Sequence, residues 1–375
     1  MDFDFTDDQQ ALREAVRRWV DKGFAFERRR TLAKAGGHSR AVWGELAELG
    51  LAGLAVPESQ GGLGFGPVEA MLVNEELGRG LVHAPWTNAA LAVPALLAAA
   101  PEALQGEWLP RIADGSALVV LAQQERAARW ALDRPATRAE RRGDGWVITG
   151  AKIVVPAGDE ADAFVVPARI AGADGERAGI GLFVVEAGAT AITPYPTQDG
   201  ARAADLRFDA APAALIAEDG LERLEHAVDI ALAGIAAEGV GLMDRLLAMT
   251  VEYLNTRRQF GVPIASFQAL RHRVADAKMQ LELARSMSYY ATLKLGAPAA
   301  ERRRAVAQAR VQLGQAMRFV GQQCIQMHGG IGVTDEYAGS HYFKRLTVLE
   351  LAFGDTLHHL GEVAARMEDT AGVFV

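Results

Sequence analysis

Cysteine is nearly missing. The single Cys324 in 375 residues rules out an internal disulfide framework and points to a reducing compartment. Excess positive charge is missing too: 39 Lys and Arg face 47 Asp and Glu, for a formal net charge of −8. A nucleic-acid partner calls for a basic face, and so does an anionic membrane surface. No apolar run is long enough to span a bilayer, and the first ten residues, MDFDFTDDQQ, are acidic and lack an apolar signal core. The expectation is a cytoplasmic protein with no nucleic-acid and no membrane partner. What is abundant is ordinary: half the residues are hydrophobic. The length exceeds what one core usually carries, so two or three domains are expected.

Residues 1–116 read as helices with short breaks. Thr6 followed by Gln9 is a capping-box pattern, and Leu12, Val16, Trp19 and Val20 recur at helical spacing behind it. Ser39 and Gly50 bracket a second helix. The glycine-rich PESQGGLGFG lacks the lysine of a phosphate-binding loop and reads as a surface loop. Residues 117–217 change texture. ALVVLAQQ, GWVITG, AKIVVPAG, AFVVPARI and GLFVVEAG are short β-rich runs, with an Asp-Gly turn expected inside RRGDGWVITG. From 218 to 375 the helices return and lengthen. Leu270, Val274, Ala277, Leu281, Ala284 and Met287 mark one helix face, with Ser266 as its expected N-cap. Ala309, Leu313, Met317, Val320, Cys324 and Met327 mark another, which Gly329-Gly330 ends. Cys324 fits there as a small buried hydrophobe. His341, His358 and His359 have no carboxylate or thiolate partners at metal-ligand spacing, so no metal is expected. The fold class is therefore α+β multidomain: an N-terminal helical domain, a small middle β-domain (barrel or sandwich) and a C-terminal four-helix bundle.

Two segments carry chemistry. NTRRQFGVPIASFQ interrupts a helical pattern with Gly261 and Pro263 and sets Arg257 and Arg258 beside Phe260. A guanidinium can hold a phosphate by two parallel bonds, and an aromatic ring can floor a flat heterocycle. QMHGGIG offers Gln326 as a side-chain donor and acceptor, then two glycines whose backbone a ligand can approach. Taken singly, the segments read rather as a helix–helix turn and a helix C-cap.

Taken together they resemble the acyl-CoA dehydrogenase family along nearly the whole chain. The resemblance rests on Arg257-x-Gln259-Phe260-Gly261, Ile264-x-x-Phe267-Gln268, Gln326-x-x-Gly329-Gly330-x-Gly332 and the TDEY at 334–337. Within the family, HYFKRLTVLELAFGDTLHHL and SFQALRHRVADAKMQLELARSMSYYA look like the small subunit of pimeloyl-CoA dehydrogenase. The resemblance implies oxidation of an acyl-CoA thioester to 2-enoyl-CoA with FAD. A carboxylate takes the α-proton, and an electron-transferring flavoprotein accepts the electrons. It also implies a dimer or tetramer in which these segments reach a neighbour's FAD. Arg257 would then meet the pyrophosphate, Gln259, Phe260 and Phe267 the dinucleotide, and Gln326, Gly329 and Gly330 its adenosine end.

Departures from the family pattern are as informative. Phe353 stands where many members have their glutamate base, and about Ala231 stands where a second subgroup keeps its own. Gln124, Val154 and Pro156 replace the threonine, tryptophan and threonine that line flavin in the β-domain, and Pro156 has no N–H to offer. Two readings follow. In one, the chain is an active dehydrogenase with Asp355 as a displaced base. In the other, it is a non-catalytic subunit that completes the FAD site of a homologous large subunit. Asp355 reads equally as an N-cap for TLHHLGEVAARM, and Glu350 as structural.

Overall fold

The computed structural model describes residues 4–37 and 39–367. Six helices come first: α1 (Asp7–Gly23), α2 (Phe26–Ala35), α3 (Arg40–Glu48), α4 (Pro67–Arg79), α5 (Val93–Leu97) and α6 (Glu102–Ala113). The capping box is formed: Gln9 N–H donates to Thr6 Oγ1 at 3.2 Å, and Thr6 N–H to Gln9 Oε1 at 3.1 Å. Ser39 caps α3 through the Val42 N–H.

Seven strands follow: β1 (Val119–Leu121), β2 (Arg138–Arg142), β3 (Gly145–Pro156), β4 (Ala163–Arg169), β5 (Ile180–Glu186), β6 (Ala191–Pro196) and β7 (Arg202–Ala217). Their pairing closes a ring, β4-β2-β3-β7-β5 and back to β4, so the middle segment is a barrel. Arg142 pairs with Gly145, which moves the expected turn one residue back, to Gly143-Asp144. Gly143 takes its positive φ of 59°, which glycine adopts without a Cβ penalty. Every residue of β4 is buried, because both of its faces are covered. Lys152 is fully buried in β3 and donates to Glu125 at 2.6 Å. Burial draws the lysine pKa down and alone would raise that of Glu125. Lys152 and the Thr137 and Ala136 N–H groups outweigh it and hold the carboxylate low.

The C-terminal helices are α7 (Leu221–Thr256), α8 (Gln268–Lys294), α9 (Ala299–His328), α10 (Ala338–Leu351) and α11 (Thr356–Ala365). Between α7 and α8 lies a two-stranded hairpin, β8 (Arg258–Gln259) and β9 (Val262–Pro263). Helices α7 to α10 share one core in which Leu246, Leu281, Leu313, Met317, Cys324 and Leu346 are buried, and Leu270, Val274 and Met287 pack on its edge. The four-helix bundle is thus present. Burial pushes the Cys324 thiol up to about 11, as befits an inert apolar filler. Ser266 is not the cap of α8: its hydroxyl donates to Pro263 O, and Phe267 holds the N-cap position without a side-chain bond. The one-turn 3-10 helix at Ile264–Ser266 takes up the residues an N-cap would need.

By internal contact the chain divides into two compact units, residues 1–30, 67–82 and 232–375, and residues 31–66 and 83–231. In the first unit α4 and α7 meet through glycines. A Cβ on Gly241 would lie 1.9 Å from Glu75 O, and one on Gly78 would lie 2.3 Å from Glu238 O. Neither carbonyl can yield without moving a helix. Gly241→Ala is therefore expected to destabilise the protein by about 2–3 kcal/mol despite alanine's better helix propensity. A urea midpoint equal to wild type would contradict this packing.

Candidate functional site

The site is built where α7 and α9 end together. Arg257 N–H bonds back to Tyr253 O at 2.8 Å as α7 stops. The Tyr253 ring lies 4.6 Å from that of His328, the last residue of α9, and its hydroxyl reaches His328 O at 3.4 Å. The two segments singled out in the sequence are thereby brought to one end of the bundle.

His328 is buried, and its hydrogen bonds fix its tautomer. Nδ1 donates to Cys324 O at 2.8 Å, so Nε2 accepts from the Tyr337 hydroxyl at 2.6 Å. Burial lowers the His328 pKa and raises that of Tyr337 to about 12, so both stay neutral. The tyrosine of TDEY thus braces the glycine turn from behind. His341 adds a second brace. Its Nδ1 accepts from Arg29, and its Nε2 donates to Asp335 O at 2.9 Å.

On this base stand the exposed groups. Gly329 turns the chain with φ +64°, and a Cβ on either Gly329 or Gly330 would meet nothing within 4 Å. An open pair of glycines leaves room for a ligand against the backbone. Gln326 is exposed on the last turn of α9. The β8–β9 hairpin turns through Phe260 (φ +53°) and Gly261 (φ +80°), the two-positive-φ geometry that favours Asn-Gly. Phenylalanine there costs about 1 kcal/mol of backbone strain, yet its ring is 90% exposed. It meets Phe267 edge to face at 6.0 Å. Backbone strain at this position thus holds an apolar ring in water. Gln259 is exposed, with its amide on Arg258 O, and Arg257 is exposed beside it.

The corner between α10 and α11 behaves differently. Asp355 is the N-cap of α11, its Oδ1 accepting from His358 N–H at 2.8 Å. Glu350 accepts from the Thr356 N–H at 3.1 Å and the Thr356 hydroxyl at 2.6 Å. Both carboxylates of LELAFGDTL therefore start one helix. Phe353 sits between them at φ +55°, packed against the bundle core. A Cβ on Gly354 would strike the rings of His358 and His359. Sequence reasoning missed Arg310, a fully buried guanidinium whose Nη2 lies 2.9–3.4 Å from the carbonyls of Leu349, Glu350, Ala352 and Gly354. Its place among alanines and valines on the buried side of α9 was the available signal.

In the barrel, Val154 takes φ +54°, an outlier for a β-branched residue, at a register shift in β3. Its N–H is held by the Tyr195 hydroxyl at 3.1 Å and Asp205 Oδ1 at 3.2 Å, and Tyr195 itself donates to Asp205 at 2.8 Å. Pro156 offers no N–H two residues on. Ala231 is fully buried in α7. Among the described residues no cluster could hold a metal ion, and no helix is long and apolar enough to cross a membrane.

Residues 6–116 match the acyl-CoA dehydrogenase N-terminal domain, and residues 218–368 the acyl-CoA dehydrogenase C-terminal domain. Acyl-CoA dehydrogenase IpdE2 of Mycobacterium tuberculosis is 32% identical over 90% of this chain and 91% of its own length. Acyl-CoA dehydrogenase FadE27 of the same organism is 28% identical over 99% of this chain and all of its own. A chain in the crystal structure of the ChsE4-ChsE5 complex from Mycobacterium tuberculosis superposes with a TM-score of 0.89 at 28% identity. It covers 99% of this chain and 100% of that one.

Proposed function

The chain belongs to the acyl-CoA dehydrogenase family, and on that premise we propose that it is the non-catalytic subunit of a heteromeric acyl-CoA dehydrogenase. It would complete the FAD site of a homologous catalytic partner, as the likeness to a pimeloyl-CoA dehydrogenase small subunit implies. The complex oxidises an acyl-CoA thioester to 2-enoyl-CoA and passes electrons to an electron-transferring flavoprotein. The observation that carries this reading is the corner at 350–356, where Asp355 and Glu350 both bond to the start of α11 and Phe353 fills the place between them. A general base needs a lone pair within about 3 Å of the proton it takes. Phe353 has none, and the capping bond through Oδ1 holds Asp355 at the start of α11, with only its second oxygen unengaged.

FAD fits one half of what this chain offers. Arg257 suits the pyrophosphate, Phe260 and Phe267 with Gln259 suit a flat ring system, and Gln326 with the open Gly329 and Gly330 suits the adenosine end. The other half does not fit: Val154 has spent its N–H on Tyr195 and Asp205, and Pro156 has none. FAD, when bound, supplies the acceptor for the β-hydride. This chain's part is to hold the dinucleotide and exclude water from it.

One observation favours the active reading with Asp355 as base: it is half-exposed at the corner, next to Gly354. Asp355→Asn separates the two. Asparagine caps nearly as well as aspartate, so the proposed subunit role predicts turnover of the complex within about twofold of wild type. An active site built on Asp355 would lose at least about a hundredfold. That loss, in a complex of unchanged flavin content, would overturn the subunit role.

A further inference from the structure

Residues 254–275 carry four arginines, Arg257, Arg258, Arg271 and Arg273, and no acid, in a chain whose net charge is −8. All four are exposed. Their bonds go to neutral groups: Arg258 to Gly261 O, Arg271 to Ala265 O at 2.7 Å, and Arg273 to Gln323 Oε1 at 2.9 Å, one turn before Gln326 on α9. Around them Phe260, Val262, Phe267, Met279 and Val333 are exposed. A surface rich in arginine, aromatic and methionine side chains and poor in acids has the composition of a protein interface core. A pyrophosphate brings about two negative charges, and Arg257 is placed to meet it. Asp276 is exposed three residues after Arg273, yet among the described residues neither Arg271 nor Arg273 forms an ion pair.

We infer that the homologous partner presents an acidic surface to Arg271 and Arg273, and that this charge match selects the partner and speeds its docking. The inference rests on the subunit role proposed above. A second copy of this chain is the disfavoured occupant, because it would bring Phe353 and a capping Asp355 instead of a base. Exposed charges act over about 10 Å at 0.1 M salt, so the match governs encounter more than final affinity.

The test uses this chain and the homologous dehydrogenase subunit of its own organism, mixed in a stopped-flow instrument at about 50 mM and about 500 mM NaCl. The association rate of wild type is expected to fall steeply with salt. Arg271→Gln with Arg273→Gln should lower the low-salt rate roughly 5- to 10-fold and flatten the salt dependence, with the flavin content of the assembled complex unchanged. An unchanged rate and slope in the double variant would overturn the inference. So would self-association of the wild-type chain with the same salt slope. Failure of the subunit role itself has a separate signature: Arg257→Ala retaining all flavin.

Discussion

Purified alone, the chain should be colourless, and co-expressed with its catalytic partner it should yield a yellow complex from which Arg257→Ala strips the flavin. The argument runs through the two halves of the site. The half facing outward is intact, with an exposed guanidinium, an exposed strained Phe260 and two glycines open to a ligand. The half in this chain's own barrel is closed, because Val154 N–H is bonded within the chain. A dinucleotide bound only to the outward half loses the ring contacts that make FAD retention strong. In the complex, removing Arg257 deletes a charge-assisted, two-point contact to phosphate. Such contacts are worth about 1.5–3 kcal/mol, so FAD affinity should drop roughly 10- to 150-fold. Arg257→Lys should recover only part of it, since an ammonium lacks the planar fork. The measurement is the flavin absorbance per mole of complex after gel filtration. An isolated chain that holds stoichiometric FAD, or an Arg257→Ala complex that keeps all of it, would remove the basis of the subunit role.

How much of this was legible beforehand depended on the kind of signal. Helix faces were legible because 3.6-residue periodicity survives in any solvent-facing helix: the stripes through Leu281 and Leu313 are buried as the spacing requires. Caps that depend on one side chain were legible at Thr6 and Ser39 and failed at Ser266, where a short 3-10 turn intervenes. Strand β7 was not legible at all. RAADLRFDAAPAALIA is the longest strand, yet it is alanine-rich and contains Pro212, so neither β-propensity nor alternation announces it. It forms because β3, β5 and β6 all pair with it. The exposed half of the site was legible as a pattern of residue types. Its support was not: Arg29 on His341 and Arg310 among four carbonyls join residues far apart in sequence, and Tyr337 reaches His328 only because the turn between them folds back. Phe353 at the family's glutamate position was legible, but only the structure shows Asp355 Oδ1 and Glu350 Oε1 bonded to the start of α11.

Acid should weaken this protein earlier than carboxylate titration would. Three of the four described buried histidines, His328, His341 and His359, must stay neutral. His328 and His341 each spend one nitrogen as donor and one as acceptor, and burial lowers both pKa values. At His341 burial is the largest cause; the bond to Asp335 O and the Asp335 charge oppose it, and Arg29 and Lys344 add to it. His359 is the extreme case. Burial first, then the charges of Arg310 and His358, push its pKa down to about 2. In the unfolded chain each would titrate near 6.5. A folded pKa held below the unfolded one contributes stability that is complete above about pH 6.5 and is lost as pH falls toward the folded value. At pH 5 the unfolded chain has gained a proton at His359 that the folded protein refuses, a cost of about 2 kcal/mol from this residue alone. The buried carboxylates Glu76 and Glu125, held low by arginine and lysine against the opposing effect of burial, give way only in a lower window, below about pH 4.5. Stability followed by urea midpoint should therefore be flat from pH 8 to about 6.5 and decline between about 6.5 and 5. His359→Gln, which cannot titrate, should show a shallower decline over the same interval even if it starts from a lower midpoint. A wild-type midpoint that holds level down to about pH 4.5 would mean that these rings accept protons in place, and that His359 is less deeply buried than the structure has it.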